Sequence, residues 1–307
     1  MTSTNYAKRR TIIKFCTPDE QDKIAELEKR VEGLETAEDD PAFLSQQTYR
    51  RYLTACDWDV SVAEKFLKAT IGWRRETKPH NIVCTFCYDK PGYHSMRHVG
   101  FDKQDRPVLY ANFAQCLTQH NTVEDAEQHL LDISENAIRA MPAHVHQLVW
   151  VMDFTGMKVS ACNPRLARAT EYLMSNHYPE RLGAFVCVNH GVLFHAFWKA
   201  VKHFIPAATV KKVHMERHHD KIDSLFSELF PEELKLWLYE EIRLNKLHPM
   251  PEHQKEFWTP KSQGHDTRGC KSYIEKYLKN TDIEEEKAEC NSYRPHPSIL
   301  ANITKSN

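Results

Sequence analysis

The first quarter of the chain reads as a succession of amphipathic helices. "TPDEQDKIAELEKRVEGLE" opens on Thr17, which can cap, with Pro18 suited to a first turn and Glu20 placed to complete a capping box. "PAFLSQQTYRRYLTAC" brings Phe43, Leu44, Tyr52 and Leu53 roughly onto one face, and "DVSVAEKFLKATIGWRRE" spaces Val62, Phe66, Ala69 and Trp73 at helical intervals. Together these stretches predict a small all-α module that ends before Pro79.

Beyond Pro79 the period changes. "RPVLYANF", "QLVWVMDF", "GAFVCVN" and "VKKVHME" are short runs rich in Val, Tyr, Phe and Trp, as strands are. Helical stretches separate them: "TVEDAEQHLLDISENAIRAM", "NPRLARATEYLMSNHY" and "VLFHAFWKAVKHF". That alternation predicts βαβ units and a largely parallel sheet. "PEELKLWLYEEIRLNKL" adds a last amphipathic helix. The tail after Pro249, rich in Pro, Lys and Glu, predicts loose order with a short helix at "SYIEKYLK". No internal repeat is present.

One helical stretch stands apart. From Val192 to Ile205, the side chains of Phe194, Phe197, Trp198, Val201, Phe204 and Ile205 share an arc, opposite His195, Lys199, Lys202 and His203. Such a stripe fits a core helix. It also fits a lid whose aromatic face closes an apolar cavity and turns onto a bilayer, where apolar burial and attraction to anionic head groups add.

Composition narrows the classes. At 307 residues with 41% hydrophobic, the chain can fill one large core or two smaller ones. Lys and Arg total 41 against 42 Asp and Glu, so no basic field gathers phosphate backbones, and nucleic acid is not an expected partner. Nine scattered cysteines, and an N-terminal "MTSTNYAKRRTIIKF" without an apolar run, predict a reducing, cytosolic compartment. The uncharged stretch Leu182 to Trp198 is broken by Asn189, His190, Gly191 and His195, which rules it out as a membrane span. GxGxxG, GxxxxGK[ST] and GxSxG are all missing, which argues against nucleotide-dependent enzymes and α/β-hydrolases.

Candidate chemistry is sparse. Cys84 and Cys87 form a CxxC, half of a zinc site or a redox pair. There is no second CxxC, and His80, His94 and His98 lack ligand spacing, so the two read as loop cysteines and no metal is expected. The "HVH" at 144–146 and "RHH" at 217–219 read as surface histidines. Asp153 ends a strand-like run, where it either serves as an acid at the carboxyl edge of a sheet or caps the next turn. With no Ser, His or Cys motif beside it, the cap is favoured and no catalytic residue is expected. Glu180 and Lys212 border apolar runs. An ammonium for a phosphate and a carboxylate for hydroxyls would read a polyol phosphate, while an internal ion pair explains the two equally well.

Taken in order, the motifs resemble one family. "RRYLTACDWDVSVAEKFLKATIGWRRE" looks like the CRAL-TRIO N-terminal helical module, and "GFDKQDRPVLYANF" like the first strand of the lipid-binding domain. "VMDFTG" resembles the next strand end, "HYPERLGAFVCVN" the YPER strand, and "VLFHAFWKAVKHFIPAATVKKV" the gate helix and the strand after it. Across residues 40–247 the chain is similar to CRAL-TRIO proteins, in particular the Sec-fourteen-like phosphatidylinositol transfer proteins. The resemblance implies an α/β fold: a helical N-terminal module packed on a mostly parallel sheet, with a mobile gate helix over a lipid cavity. Its domains would be an extension over 1–39, the helical module over 40–79, the lipid-binding domain over 80–247 and a second extension over 248–307.

The same resemblance assigns the site. Headgroup binding falls to Glu180, Lys212, Thr209, Thr54 and Arg51, the lipid pocket to Tyr110, Leu148, Trp150, Met152 and Phe185, and the gate to Phe194, Phe197, Trp198, Val201 and Phe204. Where the family reads LRFLRAR, this chain reads "RRYLTAC": Arg51 is kept, but Thr54 and Cys56 replace later arginines. Leu148 and Trp150 stand where choline-lipid binders carry small hydroxyl residues, so phosphatidylcholine is not the expected second ligand. The implied function is a cytosolic, monomeric, non-enzymatic carrier that docks transiently on membranes. It would need no cofactor and would bind phospholipid, phosphatidylinositol first. The alternatives are a lipid-sensing scaffold acting through protein partners, or a carrier of a sterol- or retinoid-like hydrophobe.

Overall fold

The computed structural model describes residues 16–34, 40, 42–89, 94–114, 122–161, 163–249, 251 and 269–273. The N-terminal stretch before Cys16 and most of the "SYIEKYLK" tail lie outside the described residues. The chain divides into two units, residues 1–82 with Tyr172–Arg181, and residues 83–171 with 182–307.

The first unit is helical. Helix α1 spans Pro18–Arg30, and its start is the expected one: Thr17 and Glu20 form a reciprocal capping box and Pro18 occupies the first turn. Helix α2 runs over Gln46–Ala55 from an N-cap at Ser45, so Phe43 and Leu44 precede it and pack against the core from outside. Helix α3, Val60–Thr77, is capped by Asp59, whose carboxylate accepts from the N–H groups of Ser61 and Val62. Ile24, Leu27, Val31, Tyr49, Tyr52, Leu53, Ala63, Leu67 and Ile71 form one buried cluster. Helix α1 therefore shares a core with α2 and α3.

The buried face of α3 is not the expected stripe. Ala63, Leu67, Thr70, Ile71 and Arg74 face inward, while Val62 is 52% exposed. Two interactions set this orientation. Arg74 makes a buried ion pair with Asp40 at 2.6 Å and lies over the Phe43 ring, and Trp73 stacks on His177 with centroids 4.0 Å apart.

The second unit is built on a five-stranded sheet in the order β1-β2-β3-β4-β5. The strands are Met96–Phe101, Pro107–Asn112, Leu148–Asp153, Leu182–Val188 and Val213–Glu216. β1 pairs antiparallel with β2, and every later pair is parallel. Crossovers are carried by helices: α5 (Val123–Arg139) after β2, α6 (Pro164–His177) after β3, and α7 (Val192–Val201) before β5. The short helix α4 covers Phe86–Asp89, α8 covers Ala207–Val210, α9 covers His219–Leu229 and α10 covers Glu232–Asn245.

Four strands and the parallel order agree with the sequence expectation; β1 does not appear in it. "MRHVGF" carries Arg97, His98 and Gly100, which weaken the strand signal. It forms because β2 offers it a hydrogen-bonding edge across the tight Asp102–Arg106 turn. There Asp102 accepts from the N–H groups of Gln104 and Arg106 and pairs with the Arg106 guanidinium at 2.6 Å. At the start of β4, Gly183 is required by close approach, since a Cβ there would lie 2.7 Å from Arg106 Nη1 and 3.2 Å from the Leu148 carbonyl oxygen. Helix α9, between β5 and α10, is also absent from the sequence reading.

Candidate functional site

In a sheet, side chains in register across neighbouring strands share a face. Val108, Tyr110, Val149, Val151, Ala184, Val186 and Val188 lie on one face and are buried. Helix α10 covers part of this face: Trp237 meets the Tyr110 ring edge-on, and Asn245 Nδ2 donates to the Tyr110 hydroxyl at 3.2 Å. The opposite face carries Leu109, Trp150, Phe185 and Val213 in one row and Ala111, Met152, Cys187 and Met215 in the next.

That second face is incompletely covered. Met152, Phe185, Val213 and Met215 are only half-buried, although they sit on inner or paired strands. With Phe154, Cys187, Phe194, Trp198, Phe113 and Met157 they make one apolar cluster. Its spine is an aromatic series at the carboxyl edge of the sheet. Phe113 stacks on Phe154 at 4.9 Å, Phe154 meets Phe194 of α7 at 4.1 Å, and Phe194 runs parallel to Trp198 at 6.4 Å. The strand ladder sets this edge, since Phe113 N–H donates to the Asp153 carbonyl and Phe154 N–H to the Val188 carbonyl, each at 3.0 Å. Aromatic rings and methionines in a half-open layer present adaptable apolar surface at the edge where α/β sheets hold their ligands.

The predicted pocket residues divide accordingly. Trp150, Met152 and Phe185 lie together on the half-open face, with Trp150 and Phe185 edge-to-face at 5.9 Å. Leu148 lies on the same side at the sheet's other end and is fully buried. Tyr110 does not join them, because the two-residue period of β2 turns it to the α10 side, where burial pushes its hydroxyl well above the usual range. Phe113, Phe154, Met157, Cys187 and Met215 complete the face and were missed. Phe154 lies within the quoted "VMDFTG", and Met215 follows Val213 at the strand period.

Helix α7 is shorter than the expected span, giving way after Val201 to a 3-10 turn over Lys202–Phe204. Phe194 and Val201 are buried, Phe197 and Trp198 half-buried, and Phe204 is 52% exposed beneath the Arg168 guanidinium, 5.6 Å from its ring. Val192 at the helix start is 82% exposed, and Gly191 caps the helix without a side-chain hydrogen bond. The helix thus keeps one inward aromatic edge and leaves apolar residues outside at both ends.

The headgroup candidates sit in separate units. In the first, Arg51 is buried, and its guanidinium donates to the Pro179 carbonyl at 3.0 Å and to Thr48 Oγ1 at 3.1 Å, bracing the turn before β4. Thr54 is exposed on α2. Glu180 is half-buried in that turn with φ +55°, a left-handed backbone that a non-glycine residue adopts at a cost. In the second, Thr209 lies in α8. Lys212 sits in the turn before β5 rather than in a strand; its carbonyl accepts from Phe185 N–H and its N–H donates to the Thr209 carbonyl, both at 2.9 Å.

Asp153 takes the capping role. Its Oδ1 accepts from Thr155 N–H, Thr155 Oγ1 and Asn189 Nδ2 at 3.1, 2.8 and 2.8 Å. Burial pushes the carboxyl up, while the bonds from Asn189 and Thr155 pull it back. Cys84 and Cys87 are the larger correction. Local spacing offers them no ligand partners, but the fold brings His94 and His129 to both sulfurs.

Residues 93–235 match the family model described as "CRAL/TRIO domain". This stretch is a CRAL/TRIO domain. A CRAL-TRIO domain-containing protein of Schizosaccharomyces pombe is 27% identical over 74% of the chain and 23% of its own length. The SEC14 cytosolic factor of Candida glabrata is 29% identical over 55% of the chain and 62% of its own length. Phosphatidylinositol transfer protein PDR17 of Saccharomyces cerevisiae is 28% identical over 64% and 61%. The chain thus spans less than two thirds of the length of these relatives. A crystal structure of Sfh5 shares the fold, with a TM-score of 0.53 at 16% identity over 70% of the chain and 85% of that structure. The half-open face therefore lies in the CRAL/TRIO part, and no described helix is long and apolar enough to cross a membrane.

Proposed function

We propose that this CRAL/TRIO chain is a lipid carrier that encloses one lipid between α7 and the open face of its sheet and exchanges it at membranes. One observation carries the reading: the face formed by Met152, Phe185, Val213 and Met215 is half-covered, while the opposite face of β2, β3 and β4 is closed. Acyl chains would complete that layer at about 0.8 kcal/mol per buried methylene, which supplies most of the affinity. The relatives named for phosphatidylinositol transfer and as a cytosolic factor support the carrier reading, in which the chain is a monomer that visits membranes transiently.

Phosphatidylinositol is the proposed ligand. Lys212 would meet its phosphate as a point charge with Thr209 donating beside it. Native mass spectrometry of the purified full chain should show a bound phospholipid; a chain that emerges and remains lipid-free after incubation with vesicles would end the carrier reading. Lys212→Ala should cut phosphatidylinositol transfer at least tenfold at unchanged melting temperature, about 1.4 kcal/mol of lost headgroup binding. Equal transfer by the variant would remove the headgroup assignment alone.

One observation favours a second reading of the ligand. Trp150 is 8% exposed, and its indole N–H has no acceptor among the described residues. A sterol-like hydrophobe with a single acceptor oxygen would satisfy it, and the same mass measurement distinguishes the two ligands by mass.

A further inference from the structure

Four side chains that local spacing does not group lie together in the second unit. Cys84 sits in the extended segment before α4, Cys87 within α4, His94 two residues before β1, and His129 in α5. Cys84, His94 and His129 are buried and Cys87 is half-buried. The Cys84 sulfur lies 3.3 Å from His94 Nδ1. The Cys87 sulfur lies 3.4 Å from the Cys84 sulfur, from His94 Nδ1 and from His129 Nδ1. All four donor atoms are within 4.8 Å of one another.

These distances discriminate between roles. A sulfur–sulfur separation of 3.4 Å is not a bond, and both cysteines are free. A tetrahedral ion bonded at about 2.3 Å to sulfur and about 2.0 Å to nitrogen holds its ligands roughly 3.3–3.8 Å apart. Four of the six edges, at 3.3 and 3.4 Å, fall at the short end of that range, and the whole set stays within 4.8 Å. Both histidines turn Nδ1 inward, their rings stacked with centroids 4.4 Å apart, and neither Nε2 has a hydrogen-bond partner among the described residues. Core histidines are ordinarily satisfied by oxygen or nitrogen partners. Here both inward nitrogens converge on sulfur instead.

We infer that Cys84, Cys87, His94 and His129 form a tetrahedral Cys2His2 site for a structural zinc ion. Two thiolates and two imidazoles suit zinc and exclude the oxygen-seeking magnesium and calcium. Four protein ligands leave no open position, so the ion holds structure rather than activating water. The surroundings are built for this. Asp132, three residues after His129, accepts from Cys84 N–H at 2.9 Å, and its other oxygen takes Asn136 Nδ2 at 2.7 Å. Helix α5 therefore supplies both a ligand and the carboxylate that fixes the cysteine loop. The ion would tie Cys84, Cys87 and His94 to helix α5 through His129.

The test uses the full chain purified under reducing conditions. Elemental analysis and native mass spectrometry should find one zinc per chain, and cobalt(II) in its place should give the intense visible bands of tetrahedral sulfur–nitrogen coordination. Cys87→Ser and His129→Ala should lose the ion, whereas Cys56→Ser, in the other unit, should keep it. Ligand variants could unfold for other reasons, so the wild-type chain is also stripped by chelator and titrated with zinc. A rise in melting temperature that saturates at one equivalent supports the site. A metal-free chain whose melting temperature ignores added zinc overturns it, as does a Cys84–Cys87 disulfide in the native protein, which would make the motif a redox pair.

Discussion

Phe154, just past the end of β3, holds Phe194 of α7 with ring centroids 4.1 Å apart and planes inclined by 51°. Phe194 is 3% exposed, while its helix neighbours Phe197 and Trp198 are only half-buried. Phe194 therefore latches the first turn of the helix to the sheet. Removing the latch should free the helix without emptying the whole core. Phe194→Ala is expected to lower stability by about 3 kcal/mol and to speed release of bound lipid. Thermal unfolding checks the first effect and stopped-flow transfer of a fluorescent lipid the second; slower release would show that the helix is not the gate.

Val192 and Phe204 stand at the two ends of that helical segment, 82% and 52% exposed. Apolar side chains held in water there suit insertion at a bilayer interface, with Lys199 and Lys202 exposed alongside for anionic head groups. Val192→Glu with Phe204→Glu should weaken binding to anionic vesicles by roughly tenfold, worth about 1.4 kcal/mol, and leave the melting temperature unchanged. Vesicle co-sedimentation is the measurement, and undiminished binding would place the membrane contact elsewhere.

Glu180 adopts a left-handed backbone conformation in the turn before β4. At φ +55° glycine is the residue of least strain, and a left-handed non-glycine residue costs about 1 kcal/mol. Glu180→Gly should match or exceed the wild type in stability while losing preference for phosphatidylinositol over phosphatidylcholine. Glu180→Val should be destabilised, because a β-branched residue resists that backbone. If the glycine variant kept its lipid preference, Glu180 would be only a turn residue.

His177 gives the first unit a pH dependence. It stacks on Trp73 with its Nδ1 3.3 Å from Thr70 Oγ1, and burial first, then the charge of Arg74, lower its pKa to about 4. The folded state thus binds fewer protons than the unfolded chain, whose histidine titrates near 6.5. Stability contributed by neutral His177 is present above pH 6.5 and falls as pH drops towards 4. For this partly solvated ring the loss should be about 1 kcal/mol. Denaturant titrations across that window should show a slope that His177→Gln flattens; an unchanged slope in the variant would assign it to other groups.

Local pattern made some elements legible and not others. The α1 capping box could be read because Thr17, Pro18 and Glu20 act within one turn. Strands β2 to β4 could be read because their apolar runs are nearly continuous, and β5 because Val213 and Met215 alternate with His214 and Glu216. The α3 stripe was displaced because Arg74 and Trp73, long side chains with distant partners, decide which face turns inward. In the site, the inward aromatic edge of α7 followed from helical spacing, and its length did not, since the 3-10 turn after Val201 is not marked by Gly or Pro.

The sequence by itself determined the order of the long helices other than α9 and of strands β2 to β5, their parallel pairing, the aromatic edge of α7 and, through an ordered set of motifs, the resemblance to CRAL-TRIO proteins. Each depends on periodicity or on neighbours a few residues apart. Only the tertiary structure decided that β1 pairs at the sheet edge, that Tyr110 faces α10 while Trp150 faces the open layer, and that His129 joins a cysteine 42 residues before it. These depend on strand register and on which elements pack together. Contacts between residues far apart in the chain leave no periodic trace in it, so the Cys84 and Cys87 pair looked like loop cysteines until α5 was in place.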